Sequence, residues 1–212
     1  MQKYNLPWDQ KLARYLVRPL AKTPITPNQV TLITAIVAFS GAGFLSTGDS
    51  DYADLGAGLF VLARFFDHFD GELARLKMMT SKFGYYMDYV AGAGSYAALF
   101  FALGIGLRDG FLQDWSIFFG LTGALAALVG AVFNIAVDRS MGNDETGDAI
   151  GYPGFAGFEL EDGIYLLAPI TWLGFLEPFF FAATIGAAVY SLWALLQWYR
   201  LKPERVFFKN VK

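Results

Sequence analysis

The chain has 212 residues, 55% of them hydrophobic, with a mean hydropathy of +0.40, no cysteine, one histidine and 17% charged residues. This composition excludes a disordered chain, a disulfide framework and a thiolate zinc site. A formal charge of -3, from 16 Lys+Arg against 19 Asp+Glu, excludes a strongly basic nucleic-acid binder.

What remains is an all-α integral membrane protein, because several apolar runs approach the ~20 residues needed to cross a ~30 Å hydrocarbon core. Residues 1–27 come first and lack the apolar h-region of a signal peptide. Between Leu6 and Lys22 they place Leu12, Tyr15, Leu16 and Leu20 on one side and Lys11, Arg14, Arg18 and Lys22 on another. That pattern predicts an amphipathic helix lying in the membrane interface. Thr26-Pro27-Asn28 supplies turn and cap chemistry, with Asn28 expected to accept from the first free N–H groups of the next helix.

Six spans are predicted within 28–200: Asn28 to Thr47, Tyr52 to Met78, Phe83 to Leu107, Trp115 to Val137, Asp162 to Phe175 and Pro178 to Tyr199. The fifth is short and contains Pro169. A six-span path puts 14 of the 16 basic residues on one side, the tail 201–212 included. The inside-positive bias then places both termini in the cytoplasm and the protein in the cell (inner) membrane, with the basic tail against anionic lipid.

Ionisable groups inside a span are costly and usually serve function. The second span carries Arg64, Asp67, His68, Asp70 and Glu72, and the third carries Asp88. With Arg75 and Lys82 at the cytoplasmic interface, helical rise puts Asp70 roughly 7.5 Å, Asp88 roughly 9 Å and Asp67 roughly 12 Å inside. Three carboxylates at one level repel one another unless protonated or bridged by cations. Oxygen donors without cysteine or a histidine pair suit Mg²⁺ or Mn²⁺, and the usual reason to hold such an ion is to polarise a phosphate or pyrophosphate. Gly71, Ala74 and Gly84 stand beside these acids, either as helix-packing residues or as places of close ligand approach.

The run Asp67-His-Phe-Asp70-Gly71-Glu-Leu-Ala74-Arg75, eight residues, Gly84, three residues and Asp88 resembles the signature of the CDP-alcohol phosphatidyltransferase family, D-x2-D-G-x2-A-R-x8-G-x3-D-x3-D. The run Thr26 to Thr31 is similar to the family's N-terminal region. The resemblance implies a six-helix membrane enzyme, commonly a homodimer. Such an enzyme cleaves the pyrophosphate of a CDP-linked lipid or alcohol, transfers the phosphatidyl or phosphoalcohol group to a hydroxyl acceptor and releases CMP. It assigns the metal ions to Asp67, Asp70 and Asp88, and the nucleotide to Asp67, Gly71, Ala74, Arg75, Gly84, Asn28 and Thr31.

The signature's last aspartate, to which the family assigns the role of general base, is replaced by Gly92. Losing such a base typically costs about 10²–10⁴-fold in rate. Candidates to replace it are His68, Glu72 and Asp138, with Glu159 and Asp162 behind them. Other accounts are an acceptor that needs little base help, or lost catalysis that leaves nucleotide and metal binding. Arg64 and the vacancy at Gly92 lie at similar depths, roughly 16 and 15 Å, and together could admit an anionic or bulky acceptor. Arg139 is a second acceptor candidate or an inside anchor, and the acidic Gly-rich stretch Ser140 to Phe158 a solvated connection or a lid. A prenyl-type transferase also uses aspartate pairs with Mg²⁺, but it would need a second aspartate-rich motif.

Overall fold

The computed structural model describes residues 7–141, 154–155 and 158–201, with side chains given for 7–140 and 162–200. The expectations for most of the Ser140 to Phe158 connection, the Glu159 side chain and the basic tail lie outside these described residues. Helix α1 (Trp8–Leu16) and a 3₁₀ turn (Arg18–Lys22) precede α2 (Pro27–Leu45), α3 (Ser50–Lys77), α4 (Lys82–Gly106) and α5 (Trp115–Met141). A two-residue antiparallel ladder follows, pairing Gly154 with Glu159 and Phe155 with Phe158. The described chain ends in a 3₁₀ segment (Leu160–Leu166), a short α6 (Leu167–Trp172) and α7 (Leu176–Leu201).

Local chemistry sets the helix ends. The start of α2 differs from the sequence expectation, because Thr26 is the cap and Asn28 lies inside the first turn. The Thr26 hydroxyl accepts from Gln29 N–H at 3.3 Å, and the Gln29 side chain accepts from Thr26 N–H at 2.9 Å. This reciprocal pair satisfies two donors while Pro27 occupies a position that needs none. Asp49 caps α3 by accepting from Asp51 and Tyr52 N–H, and Ser81 caps α4 by accepting from Gly84 N–H at 3.0 Å. Between those helices Met78 turns the chain at φ 54°.

Four helices, α2, α4, α5 and α7, are long and apolar enough to cross a membrane. Helix α3 matches them in length at 28 residues and carries the charged motif. The expected fifth span is a 3₁₀ segment running into the short α6, which stops just before Gly174 at φ 79°. It packs beside α3, where Trp172 donates to the Asp54 carbonyl at 3.2 Å. The main core joins Phe60 and Ala57 of α3 to Leu99 and Leu103 of α4, Leu167 of α6 and Phe180 of α7. A smaller cluster seats Ala13 and Val17 against Val30, Phe69 and Leu73. The buried stripe of α1 is thus Asp9, Ala13 and Val17, while Leu12, Tyr15 and Leu16 face outward, available to lipid.

Glycine lets the helix pairs touch. A Cβ on Gly56 would stand 2.6 Å from the Gly41 carbonyl oxygen, and one on Gly41 would stand 2.7 Å from that of Gly56. Such backbone contact is how membrane helices gain packing without a hydrophobic driving force. Gly56→Val is expected to cost about 1–3 kcal/mol by overpacking, read as a lower unfolding temperature in detergent. Gly43→Ala, where a Cβ meets nothing within 4 Å, is the control and should leave that temperature unchanged.

Candidate functional site

The C-terminal half of α3 is a row of charged groups, each held by a partner. Arg64 is only 7% exposed. Its Nη1 pairs with Asp67 Oδ2 at 3.0 Å, and its guanidinium lies over the Tyr96 ring at 4.8 Å. Pairing and ring contact offset the several kcal/mol that burying an ion costs. One turn on, Thr31 of α2 donates its hydroxyl to Asp70 Oδ2, and Gly71 N–H donates to Asp70 Oδ1 at 2.5 Å. Glu72 is 3% exposed and accepts from Arg14 Nε at 3.1 Å and Arg75 Nη2 at 2.9 Å. Its carboxylate ties α1 to α3.

His68 meets a residue that the sequence did not single out. Its Nε2 lies 2.8 Å from Asp9 Oδ2, and the Tyr165 hydroxyl donates to the same oxygen at 2.9 Å. Burial pushes the Asp9 carboxyl up, but the hydrogen bond and charge of His68, with bonds from Tyr165 and Gln10 N–H, outweigh it and hold the group at about 2. Asp9 therefore stays ionised and orients the imidazole. The signal for it was the spacing Asp9, Ala13, Val17, which is a helical stripe with an acid at its end.

A cavity of about 520 Å³ opens between α3, α4, α5 and α7. Arg64, Asp67, His68 and Asp88 line it together with Gly92, so two motif aspartates, the histidine and the vacant position share one space. A Cβ built on Gly92 would meet only Arg64 Nη1, at 3.8 Å. Asp70 faces α2 instead. Among the described residues no three His, Cys, Asp or Glu side chains are gathered closely enough to hold a metal, because Asp67 is turned to Arg64 and Asp70 to Thr31. The donor chemistry, oxygen throughout, fits a hard divalent ion.

The remaining named residues divide in the same way. A Cβ on Gly84 would stand 3.2 Å from both Asn28 Oδ1 and Ser81 Oγ, so α2 approaches α4 closely there, and one on Gly71 would stand 3.5 Å from Arg75 Nη2. Ala74 is half-buried on the same turn. Asp138 is fully buried and accepts from the Tyr85 and Tyr89 hydroxyls at 2.6 and 2.7 Å, which leaves it off the cavity wall. Glu72 and Asp162 also do not line the cavity, and Arg139 is exposed outside it. Of the candidate bases His68, Glu72 and Asp138, His68 alone reaches the cavity.

Comparison with known proteins bears on this arrangement. A stretch of 91 residues, 42% of the chain, is 37% identical to a bifunctional IPC transferase and DIPP synthase of Rubrobacter xylanophilus, and it spans only 20% of that protein. An uncharacterized protein of Aquifex aeolicus is 26% identical over 184 residues, covering 86% of this chain and 87% of that one. The fold resembles crystal structures of Mycobacterium tuberculosis phosphatidylinositol phosphate synthase. One, in complex with manganese and citrate, aligns at a TM-score of 0.57 and 19% identity over 88% of each chain. Another, with CDP-DAG bound, aligns at 0.57 and 18% over 89% of this chain and 94% of that one. Residues 24–199 match the description of the CDP-alcohol phosphatidyltransferases, and the chain belongs to that family.

Proposed function

We propose that this protein is a membrane transferase that cleaves a CDP-linked lipid or alcohol, passes the phosphatidyl or phosphoalcohol group to a hydroxyl acceptor and releases CMP. The observation that carries this reading is the joint exposure of Asp67, Asp88, Arg64 and His68 to one cavity. Manganese and CDP-DAG in the two synthase structures support a divalent ion and a CDP-linked lipid here. Asp67, Asp70 and Asp88 would hold Mg²⁺ or Mn²⁺, with Asp67 and Asp70 exchanging their present protein partners for the ion. When bound, that ion supplies charge neutralisation on the pyrophosphate. Asn28, Thr31, Gly71, Ala74, Arg75 and Gly84 make the nucleotide side of the site. The protein works in a bilayer with both termini cytoplasmic and as a homodimer.

In the reaction the acceptor oxygen bonds to the substrate phosphorus while the bond from that phosphorus to the bridging oxygen breaks. The bridging oxygen leaves with the electron pair on CMP. The hydroxyl proton passes to the neutral form of His68, in which Nε2–H donates to Asp9 and the lone pair is on Nδ1; the charge so formed is the one that Asp9 stabilises. Positioning and electrostatics dominate such transfers. Arg64, beside the Gly92 vacancy, is placed to meet negative charge on the acceptor or the transferring group.

Purified protein with a CDP-linked lipid, an alcohol panel and Mn²⁺ should release CMP, and chelation by EDTA should abolish that release until Mn²⁺ is restored. Nucleotide binding without CMP release from any donor would replace the transferase reading with a binding one. His68→Gln is expected to lower kcat by about 10²–10⁴-fold. Gly92→Asp in the His68→Gln background should recover part of that loss, since the site accepts a Cβ there without displacing backbone. An unchanged kcat in His68→Gln would remove His68 from the chemistry.

A further inference from the structure

The cavity continues well past the charged groups. On α4 its lining runs from Asp88, Tyr89 and Gly92 through Tyr96 to Leu99, Phe100 and Leu103. On α5 it runs from Asn134 through Ala131 to Ala127 and Ala126, and on α7 from Tyr190 through Ala187 and Gly186 to Ala183 and Phe179. Glu177 at the start of α7 accepts from Phe111 and Leu112 N–H in the α4–α5 connection at 3.0 and 2.8 Å, which places that end of α7 beside the far end of α4. All three helices therefore change from polar to apolar lining in the same direction. The last polar tier on α5 and α7 is the Asn134–Tyr190 pair, in which Asn134 Nδ2 donates to the Tyr190 hydroxyl at 2.8 Å.

From Gly92 to Leu103 the floor is roughly 16 Å deep by helical rise. A cavity of about 520 Å³ that continues this far past the charged groups has room for an extended hydrocarbon chain. A water-soluble polyol would leave this apolar floor facing a void, since apolar cavities do not hold water well. Gly92 stands between the charged groups and this apolar lining.

We infer that this chamber takes an apolar chain of the acceptor, so that the acceptor is a membrane-borne amphiphilic alcohol and its hydroxyl lies at the tier of Asp67 and Asp88. The inference rests on the transferase reading above. The acceptor is assigned to the chamber because displacement at phosphorus runs roughly in line, so the entering hydroxyl approaches opposite the leaving nucleotide. Asn28, Thr31, Gly71 and Gly84 are on the other side of the carboxylates, and none of them lines the chamber. The space at Gly92 lets the chain pass, and Arg64 lies against it.

Gly186 provides the test, because a Cβ there meets nothing within 4 Å and a larger side chain grows into open space. CMP release is measured with one CDP donor and a series of single-chain amphiphilic alcohols of increasing length, beside glycerol and inositol. Wild type should favour the long-chain alcohols, and Gly186→Leu should cut the ratio of long-chain to short-chain kcat/KM by about tenfold or more. Ala127→Leu, on the facing wall, should act in the same sense. Glycerol or inositol as the best acceptor, or a ratio unmoved in both variants, would overturn the inference. So would a Gly186→Leu effect confined to the chain length of the CDP donor. A fluorescent long-chain alcohol bound to purified protein without donor separates this question from catalysis. Weaker binding in both variants supports the chamber even if no CMP is released, a result that would count against the transferase reading alone. Equal binding in all three proteins refutes the chamber.

Discussion

The structure is organised by the need to partner the ions that α3 carries into the membrane. An unpaired charge in hydrocarbon is expensive, and each ion on this helix is answered from a different direction. Asp70 receives the Thr31 hydroxyl of α2, Glu72 receives Arg14 of α1, and Arg64 lies over Tyr96 of α4. His68 reaches Asp9, which also receives Tyr165. The least apolar of the long helices thereby becomes the hub on which the others dock. Fold and site share the same side chains, so stability and chemistry are not separable along residues 64–75.

Close packing and open space are distributed unevenly around that hub. Helices α2 and α3 touch backbone to backbone at Gly41 and Gly56, and α4 and α5 do so at Gly104 and Gly120. Across from these seams, alanine and glycine on α5 and α7 face the cavity instead of another helix. The same small residues thus serve opposite ends, contact in one place and room in another, and only the partner across the gap decides which.

That double use explains what was legible in the sequence and what was not. The motif on α3 and α4 could be read because its residues are close along the chain and their spacing maps directly onto helical faces. The apolar runs of α2, α4, α5 and α7 were readable by length. The run ending at Phe175 was not, since length and hydropathy do not reveal that it follows a 3₁₀ and short helical path. Asp138 looked like any intramembrane acid until the structure placed Tyr85 and Tyr89 on it. Asp9 was missed because its partners lie 59 and 156 residues away, beyond any local pattern. The chamber floor was invisible for a related reason: alanine-rich stretches on separate helices do not reveal in sequence that they face one another.

The turn at Met78 has a consequence for the motif itself. Helix α3 ends at Lys77, whose ammonium donates to the Thr23 and Ile25 carbonyls at 2.6 and 2.7 Å, and α4 restarts at Lys82. With so short and so firmly tied a link, the azimuth of Asp88 about the α4 axis is locked to that of Asp67 about α3. One residue added to or removed from α4 between Lys82 and Asp88 would swing the carboxylate by about 100°, off the cavity wall and toward another face of the helix. The eight-residue gap between Arg75 and Gly84 is in this sense an angular specification, written in the only units a helix has.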